Sequence, residues 1–283
     1  MLNIAIFISG RLLGYKDCLL HFVNNLKNRY NIYLFFSINT FSLSSDTNID
    51  CTIKDLKQTF GSMIGDIYFE EYKFPKCYVD CMVTNNIFRF SYNLLSCFFN
   101  DSKNMELIEL FEKNNNIDFD IICKTRSDII FRSDVEFICD KRDDLILRNK
   151  HMCDIRYWGH VYHDTPLMIS DAFVYGNKKT MRHYCSTYSW VLNTNQLLQG
   201  KYLMAGEIYV TDNILQYNFY NIPGGEATPR LTREQIIDKY TNNPNNIIII
   251  YQNNISYYLL PDKIRHSTNF VVNMNNVYNY THE

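Results

Sequence analysis

The sequence lacks three features that would assign it at once to a familiar class. Its 283 residues carry a formal net charge of −2, without the basic excess that a general nucleic-acid binder shows. No apolar run approaches the length of a transmembrane helix. The first residues have neither a basic region nor a small-residue cleavage site, so we expect no signal peptide. These absences favour a cytoplasmic protein without a transmembrane segment or a nucleic-acid partner.

Paired C-x-x-C units, which are typical of structural zinc sites, are also missing, although the chain has nine cysteines. The closest spacing is Cys77-x-x-x-Cys81, which places two thiols on one face of a helix. An odd number of dispersed cysteines is typical of reduced, mostly buried thiols in a reducing compartment. The cysteines therefore agree with a cytoplasmic location and argue against a zinc-stabilised fold.

The chain does have the apolar content of a globular protein, with 46% hydrophobic and 15% aromatic residues. Residues 2–9 predict a buried strand that Gly10 ends, and residues 15–29 have apolar side chains at helical spacing. Residues 32–36 predict a second buried strand. This β-α-β opening is typical of a parallel, nucleotide-binding sheet.

The remaining pattern alternates helices and strands without an internal repeat or a long linker. We therefore predict a single α/β domain with a Rossmann-type mixed sheet flanked by helices. The polar residues 39–48 predict a loop, Gly61 and residues 114–116 predict helix ends, and Asn177 predicts a helix N-cap. We expect helices over residues 52–60, 83–99, 105–113 and 205–219, and a helix from residue 178 that carries Tyr188. We expect strands over residues 67–72, 145–147, 170–176 and 247–251, and an apolar strand that runs into Lys124.

The most informative segment is an apolar strand that ends in Lys124-x-Arg126-x-Asp128. In open α/β sheets ligands bind at the carboxyl ends of the strands. Lys and Arg suit phosphate oxygens, and Asp suits a hard divalent cation held between phosphates. The motif predicts a phosphate-and-metal corner. The alternative is a strand end whose charges are only solvated.

A second candidate, Ser9-Gly10-Arg11, lies where the first strand ends. A glycine there lets the backbone approach a ligand, and neighbouring N–H groups can face a phosphate. Arg11 is a candidate partner of a pyrophosphate, or else a surface arginine at a helix start.

Carboxylates in the second half have two interpretations each. Asp171 opens an apolar strand and needs a partner there, which a substrate hydroxyl, a cation, an arginine or a backbone N–H could supply. Glu207 could deprotonate an acceptor hydroxyl, or it could be a first-turn carboxylate favoured by the helix dipole. Asp212 lies five residues further along and is a further acceptor candidate.

An irregular stretch supplies the remaining acceptor candidates. Trp158 could stack on a sugar ring or anchor a loop by burial. His160-x-x-His163-Asp164 lacks the helical spacing of a zinc protease, so we interpret His163 and Asp164 as acceptor contacts rather than metal ligands.

Taken in order, these segments resemble the small GT-A-fold glycosyltransferases of polysaccharide and lipopolysaccharide assembly, which also occur in large DNA viruses. Their strand motif reads Arg-x-Arg-x-Asp, a later strand reads Asp-x-Phe-x-x-Gly, and a Glu precedes a late helix. The matching segments here are Ser9-Gly10, Lys124-x-Arg126-x-Asp128, Asp171-Ala-Phe-Val-Tyr-Gly176 and Glu207. Departures are Lys124 in place of the first Arg, and Leu13 where the family often has an Arg.

The resemblance implies transfer of a hexosyl or pentosyl group from a nucleotide sugar, with UDP as the expected nucleotide, to a glycan acceptor. It implies that residues 1–135 bind the nucleotide and residues 136–283 the acceptor. Asp128 would hold Mn²⁺ or Mg²⁺, and Arg11, Lys124 and Arg126 would face phosphates. Asp171 would bind the donor sugar or the acceptor, and Glu207 would be the base of an inverting reaction.

Two other functions remain open. A non-catalytic nucleotide- or glycan-binding module derived from a transferase fits the single carboxylate at Asp128. A sugar nucleotidyltransferase would need a longer glycine-rich loop with a lysine, which residues 9–14 lack.

Overall fold

A computed structural model of the protein describes residues 1–39, 48–73, 88–132, 134–141, 144–149, 169–170, 172–194, 210, 213–214, 245, 247–251 and 257–259. The helices are α1 (Leu20–Leu26), α2 (Ile49–Phe60), α3 (Phe88–Asn115), α4 (Lys178–Cys185) and α5 (Thr187–Thr194). The strands are β1 (Asn3–Ser9), β2 (Asn31–Asn39), β3 (Ile64–Glu70), β4 (Ile121–Thr125), β5 (Ile129–Phe131), β6 (Ile146–Asn149), β7 (Phe173–Gly176), β8 (Ile248–Tyr251) and β9 (Tyr257–Leu259).

Seven of these strands form one mixed sheet in the order β3-β2-β1-β4-β7-β6-β8. Neighbours are parallel from β3 to β4, and β6 is parallel to β8. β7 is antiparallel to both β4 and β6, so it alone runs against the others. β5 pairs with β9 in a separate antiparallel ribbon. The mixed α/β architecture expected from the sequence is confirmed, and it is compatible with a single Rossmann-like domain.

The opening β-α-β unit follows from the apolar pattern of the first 39 residues. Strand β1 is buried on both faces, as a near-continuous apolar run predicts for a central parallel strand. A π-helical turn, Tyr15–Leu19, precedes α1. The apolar residues predicted to face the core from this segment are all buried: Cys18, Leu19, Phe22, Val23 and Leu26.

The sheet separates two hydrophobic clusters. Along β1, Ile4, Ile6 and Ile8 belong to the cluster that includes α1 and α2, whereas Ala5 and Phe7 belong to the cluster that includes α3, α4 and α5. This alternation places helices on both faces of the sheet. Among the described residues, no helix is long and apolar enough to cross a membrane.

Helix α3 corrects one prediction, because the sequence suggested two helices over residues 83–99 and 105–113. The structure has a single helix of 28 residues, Phe88–Asn115. The intervening polar residues 100–104 are weak helix formers, but most of them are buried and bonded to strand ends, so tertiary contacts override their local preference. The predicted end is confirmed at Asn116, whose φ is 53°.

The other described boundaries agree with the sequence to within a few residues. Gly61 follows α2 with a φ of 56°, and the side chain of Asn177 caps α4 by accepting a hydrogen bond of 2.9 Å from the N–H of Thr180. The single helix predicted from residue 178 through Tyr188 is divided in the structure into α4 and α5. Residues 40–47 of the loop predicted at 39–48, residues 150–168 of the irregular stretch 149–168 and most of the helix predicted at 205–219 lie outside the described residues.

Candidate functional site

The two predicted donor motifs meet at one edge of the sheet. Six strands of the large sheet end at this edge, which we name the carboxyl edge, and only β7 begins there. Ile8 of β1 lies opposite Thr125 of β4, so the segments that follow these strands are neighbours. In the sheet, β2 and β4 lie on opposite sides of β1. Helix α1, which connects β1 to β2, packs on one face of the sheet, and α3, which precedes β4, packs on the other face. This arrangement is the topological switch point at which open α/β sheets bind ligands.

The turn after β1 is open to solvent on its outer side. Gly10 has a φ of 88°, which favours glycine, and its N–H donates to the carbonyl of Ser37 over 3.2 Å. Among the described residues, and apart from Gly10 and its two chain neighbours, no atom lies within 4 Å of the position that a Cβ on Gly10 would occupy. Arg11 follows with an exposed side chain. The backbone of this turn can therefore be approached by a ligand.

A serine hydroxyl joins this turn to the end of β4. The Oγ of Ser127 lies 2.9 Å from the carbonyl oxygens of both Arg11 and Leu13, which share its single proton. The bond fixes the Gly10 turn relative to the two residues that flank Ser127, Arg126 and Asp128. Sequence reasoning passed over this serine, because its role depends on the pairing of β1 with β4.

Arg126 and Asp128 form a two-pronged ion pair, which we name the Arg126–Asp128 clamp. The Nε and Nη2 of Arg126 each donate over 2.9 Å, to Oδ1 and Oδ2 of Asp128 respectively. The Asp128 side chain is 4% exposed and the Arg126 side chain 36%. Burial, together with the negative charge of Asp128, raises the pKa of the nearby Cys18 thiol to about 12. The thiol beside the clamp therefore stays protonated.

Lys124 lies apart from the clamp, on the α3 face of the sheet. Its Nζ donates over 2.6 Å to Oδ2 of Asp101, and both side chains are almost completely buried, at 2% and 3% exposure. The ammonium also lies 5.3 Å from the centre of the Tyr184 ring. The structure thus brings Arg11, Arg126 and Asp128 together at the carboxyl edge and places Lys124 in a buried ion pair.

Two asparagines of α3 support the ends of β1 and β2 from the same face. Asn104 Nδ2 donates to the carbonyl of Ile8 over 3.0 Å and lies 3.1 Å from the Oγ of Ser9. Asn100 Oδ1 accepts from the Oγ of Ser37 over 3.0 Å. The signal in the sequence is the polar run 100–104 between the two predicted helices.

Asp128 was the predicted ligand for Mn²⁺ or Mg²⁺, and its surroundings test that fit. These ions prefer several oxygen ligands. Within the described ranges, no group of three or more His, Cys, Asp or Glu side chains could hold a metal ion. Both oxygens of Asp128 accept hydrogen bonds from Arg126. A divalent cation at Asp128 would therefore have to displace at least one of these two hydrogen bonds.

The predicted acceptor residues and carboxylates of the second half lie outside the described residues: Trp158, His163, Asp164, Asp171, Glu207 and Asp212. The described residues around them still locate part of the chain. β6 ends at Asn149 and β7 begins at Phe173 opposite Thr125, so the chain leaves and re-enters the sheet at the carboxyl edge. Ser170 and Ala172, which flank Asp171, are both buried.

A cavity of about 690 Å³ lies between α3 and α4, near the amino end of β4 and thus away from the carboxyl edge. Four of its charged side chains form two ion pairs: Lys178 Nζ lies 2.5 Å from Glu112 Oε2, and Arg182 pairs with Glu109. These pairs join the two helices, so we assign the cavity to helix packing rather than to the candidate site.

Comparison with known proteins adds no assignment: no family model matches the chain, and no curated protein matches it significantly.

Proposed function

We propose that the protein is a GT-A-fold glycosyltransferase that moves a sugar from a nucleotide-sugar donor, with UDP as the expected nucleotide, to a glycan acceptor. The observation that carries the proposal is the meeting of the Gly10 turn and the Arg126–Asp128 clamp at the β1/β4 switch point. The mixed sheet with one antiparallel strand also agrees with the resemblance that the motifs suggest.

The chemistry of glycosyl transfer suits this edge. A departing nucleoside diphosphate carries developing negative charge, which fixed cations and N–H groups stabilise best when they are already in place. Arg126 is held in one orientation by two hydrogen bonds to Asp128, and Arg11 is exposed on the adjoining turn. An arginine fork is well matched to phosphate oxygens. We propose that these two arginines and the backbone at Gly10 hold the diphosphate.

The acceptor would bind beside the donor at the carboxyl edge. The segment that contains Trp158, His163 and Asp164 begins after β6 and ends before β7, and both strands have those ends at this edge. We propose that this segment and Asp212 contact the acceptor, and that Asp171 contacts donor sugar or acceptor. If the reaction is inverting, we propose Glu207 as its base.

The first test is thermal stability of the full chain with UDP, GDP, CMP and TDP, each with and without Mn²⁺. A ligand that binds only the folded state raises the melting temperature by mass action. We expect UDP to give the largest increase and Arg11→Ala to reduce it. Arg182→Ala, which removes an exposed arginine of α4 that pairs with Glu109 away from the carboxyl edge, is the matched control and should leave the increase unchanged.

Turnover separates the transferase from the binding module. We expect the chain to release UDP from a UDP-sugar, slowly in water and faster with a suitable glycan, as followed by a coupled UDP assay. If another nucleotide selectively increases the melting temperature, the donor carries that nucleotide and the proposal of a glycosyltransferase stands. Nucleotide binding without release of UDP from any UDP-sugar supports the non-catalytic module. No response to any nucleotide refutes the donor site.

A further inference from the structure

We propose that the Arg126–Asp128 clamp takes the place of a divalent cation at the diphosphate, so that the protein binds its nucleotide and transfers the sugar without a metal ion. The inference rests on the proposed function and specifies how its donor end is charged. It starts from the disagreement between the metal that the motif implies and the contacts that Asp128 makes.

The first step concerns what a metal ion would have to displace. Mg²⁺ and Mn²⁺ bind through carboxylate, phosphate and water oxygens. At Asp128, both carboxylate oxygens already accept charge-assisted hydrogen bonds of 2.9 Å from Arg126. The side chain is 4% exposed, so an ion arriving with its water shell would have to open the site as well. Arginine is always protonated and therefore competes for this carboxylate at every physiological pH.

The second step concerns the charge that remains at the edge. Arg11 and Arg126 contribute two positive charges and Asp128 one negative charge, which gives a net charge of +1. These side chains thus leave positive charge at the edge without a metal ion, and the clamp supplies the fixed orientation that a flexible lysine would lack.

The third step concerns the direction of the guanidinium. The clamp uses the Nε and Nη2 atoms of Arg126, on one side of the guanidinium. Asp128 is buried, whereas 36% of the Arg126 side chain is exposed, so the guanidinium forms the part of the pair that a ligand meets. Asp128 would act as a positioning residue that orients Arg126, and Arg126 would contact the phosphate.

The transfer balances without a metal. The bond between the anomeric carbon and the β-phosphate oxygen breaks, and its electron pair stays on the departing diphosphate. The acceptor oxygen forms the new bond to the anomeric carbon while its proton passes to a base or to solvent. The arginines lower the energy of the charge that develops on the diphosphate.

The test is calorimetric titration of the full chain with UDP, once in EDTA and once in Mn²⁺, together with a titration of Mn²⁺ alone. We expect the same UDP affinity in both buffers and no binding of Mn²⁺ alone. Arg126→Ala should weaken UDP at least about tenfold in both buffers, and Arg126→Lys should recover only part of the loss, because lysine keeps the charge without the fork. Arg182→Ala is again the control.

Asp128→Asn distinguishes the clamp from a metal site. An asparagine cannot hold Arg126 as a carboxylate does, so we expect weaker UDP binding in EDTA as well as in Mn²⁺. A UDP affinity that rises about tenfold with Mn²⁺ in the wild type, and loses that rise in Asp128→Asn, overturns the inference while keeping the proposed function. If Asp128→Asn fails to fold, the comparison of the two buffers for the wild type decides alone. Absence of nucleotide binding in both buffers refutes the proposed function and the inference together.

Discussion

The buried ion pair between Lys124 and Asp101 makes a prediction that separates a structural role from a phosphate-binding one. Replacing Lys124 with Met removes the ammonium that pairs with the Asp101 carboxylate, which is 3% exposed. The sequence motif alone would assign such a change to ligand binding. The structure assigns it to the stability of the fold.

The expected magnitude follows from the burial of both groups. Breaking a buried ion pair by removing one partner costs about 3–5 kcal/mol, because the remaining charge stays out of water. The loss of the ammonium at 5.3 Å from the Tyr184 ring acts in the same direction. At about 2 °C for each kcal/mol in a chain of this size, we expect the melting temperature to fall by about 6–10 °C.

The assay is urea unfolding followed by tryptophan fluorescence, with Lys103→Met as the matched control. Lys103 pairs with Glu106 one turn along α3 over a similar distance, 2.8 Å, but the two side chains are 29% and 61% exposed. A surface pair of this kind contributes about 0.2–0.5 kcal/mol. The double variant Lys124→Met/Asp101→Asn should be less unstable than the sum of the two single variants, because it leaves no isolated charge.

A loss below about 1 kcal/mol for Lys124→Met, equal to that of the Lys103→Met control, would refute the buried pair. The buried pair would also be refuted if Lys124→Met had wild-type stability but no longer responded to nucleotide, since that outcome would indicate that Lys124 contacts the phosphate. A large loss of stability, with nucleotide affinity retained below the melting transition, would support a structural role for Lys124.

Three further predictions concern single positions. Asn177→Ala should destabilise the fold by at least about 1 kcal/mol in urea unfolding, because the side chain caps α4 and also donates to two carbonyls. Asn48→Ala should cause a smaller loss of stability, because the Asn48 cap is exposed. Gly10→Ala and Gly61→Ala should each lower the free energy of unfolding by about 1–2 kcal/mol, because both glycines have positive φ. Only Gly10→Ala should reduce the increase in melting temperature that a nucleotide causes. Burial and a neighbouring lysine lower the pKa of His183. The neutral imidazole therefore contributes its whole stabilisation above about pH 6.5, and this contribution is lost as the pH falls toward the folded-state pKa. His183→Gln should remove this part of the pH dependence of stability, as measured by urea unfolding.

The opening of the fold could be predicted from the sequence because each element there follows a local pattern. Strand β1 is a continuous apolar run, α1 has an apolar stripe, and the turns after β1 and α2 carry glycines at the positions that need positive φ. Both candidate motifs, at Gly10 and at Arg126, follow predicted strands, and the pairing of β1 with β4 in the structure brings them to the same edge.

Other features could not be predicted from the sequence because they depend on contacts between distant elements. The polar run 100–104 has a local preference against helix, and only the bonds from Asn100 and Asn104 to the strand ends explain why α3 continues through it. The partner of Lys124 depends on the register of α3 against β4. The pairing of Arg126 with Asp128 was within reach, because the two side chains are two residues apart, but it was interpreted as two separate ligands.

The position of β4 has a consequence for the order in which the sheet can assemble during synthesis. β1 lies between β2, which follows within 39 residues, and β4, whose first residue is 121. The β-α-β opening can pair early, but one side of its most buried strand remains unpaired until more than eighty further residues have been made. Contacts of such sequence separation slow folding and expose strand edges in the meantime. The strand that organises the carboxyl edge is thus the first to be synthesised and among the later ones to be completely enclosed.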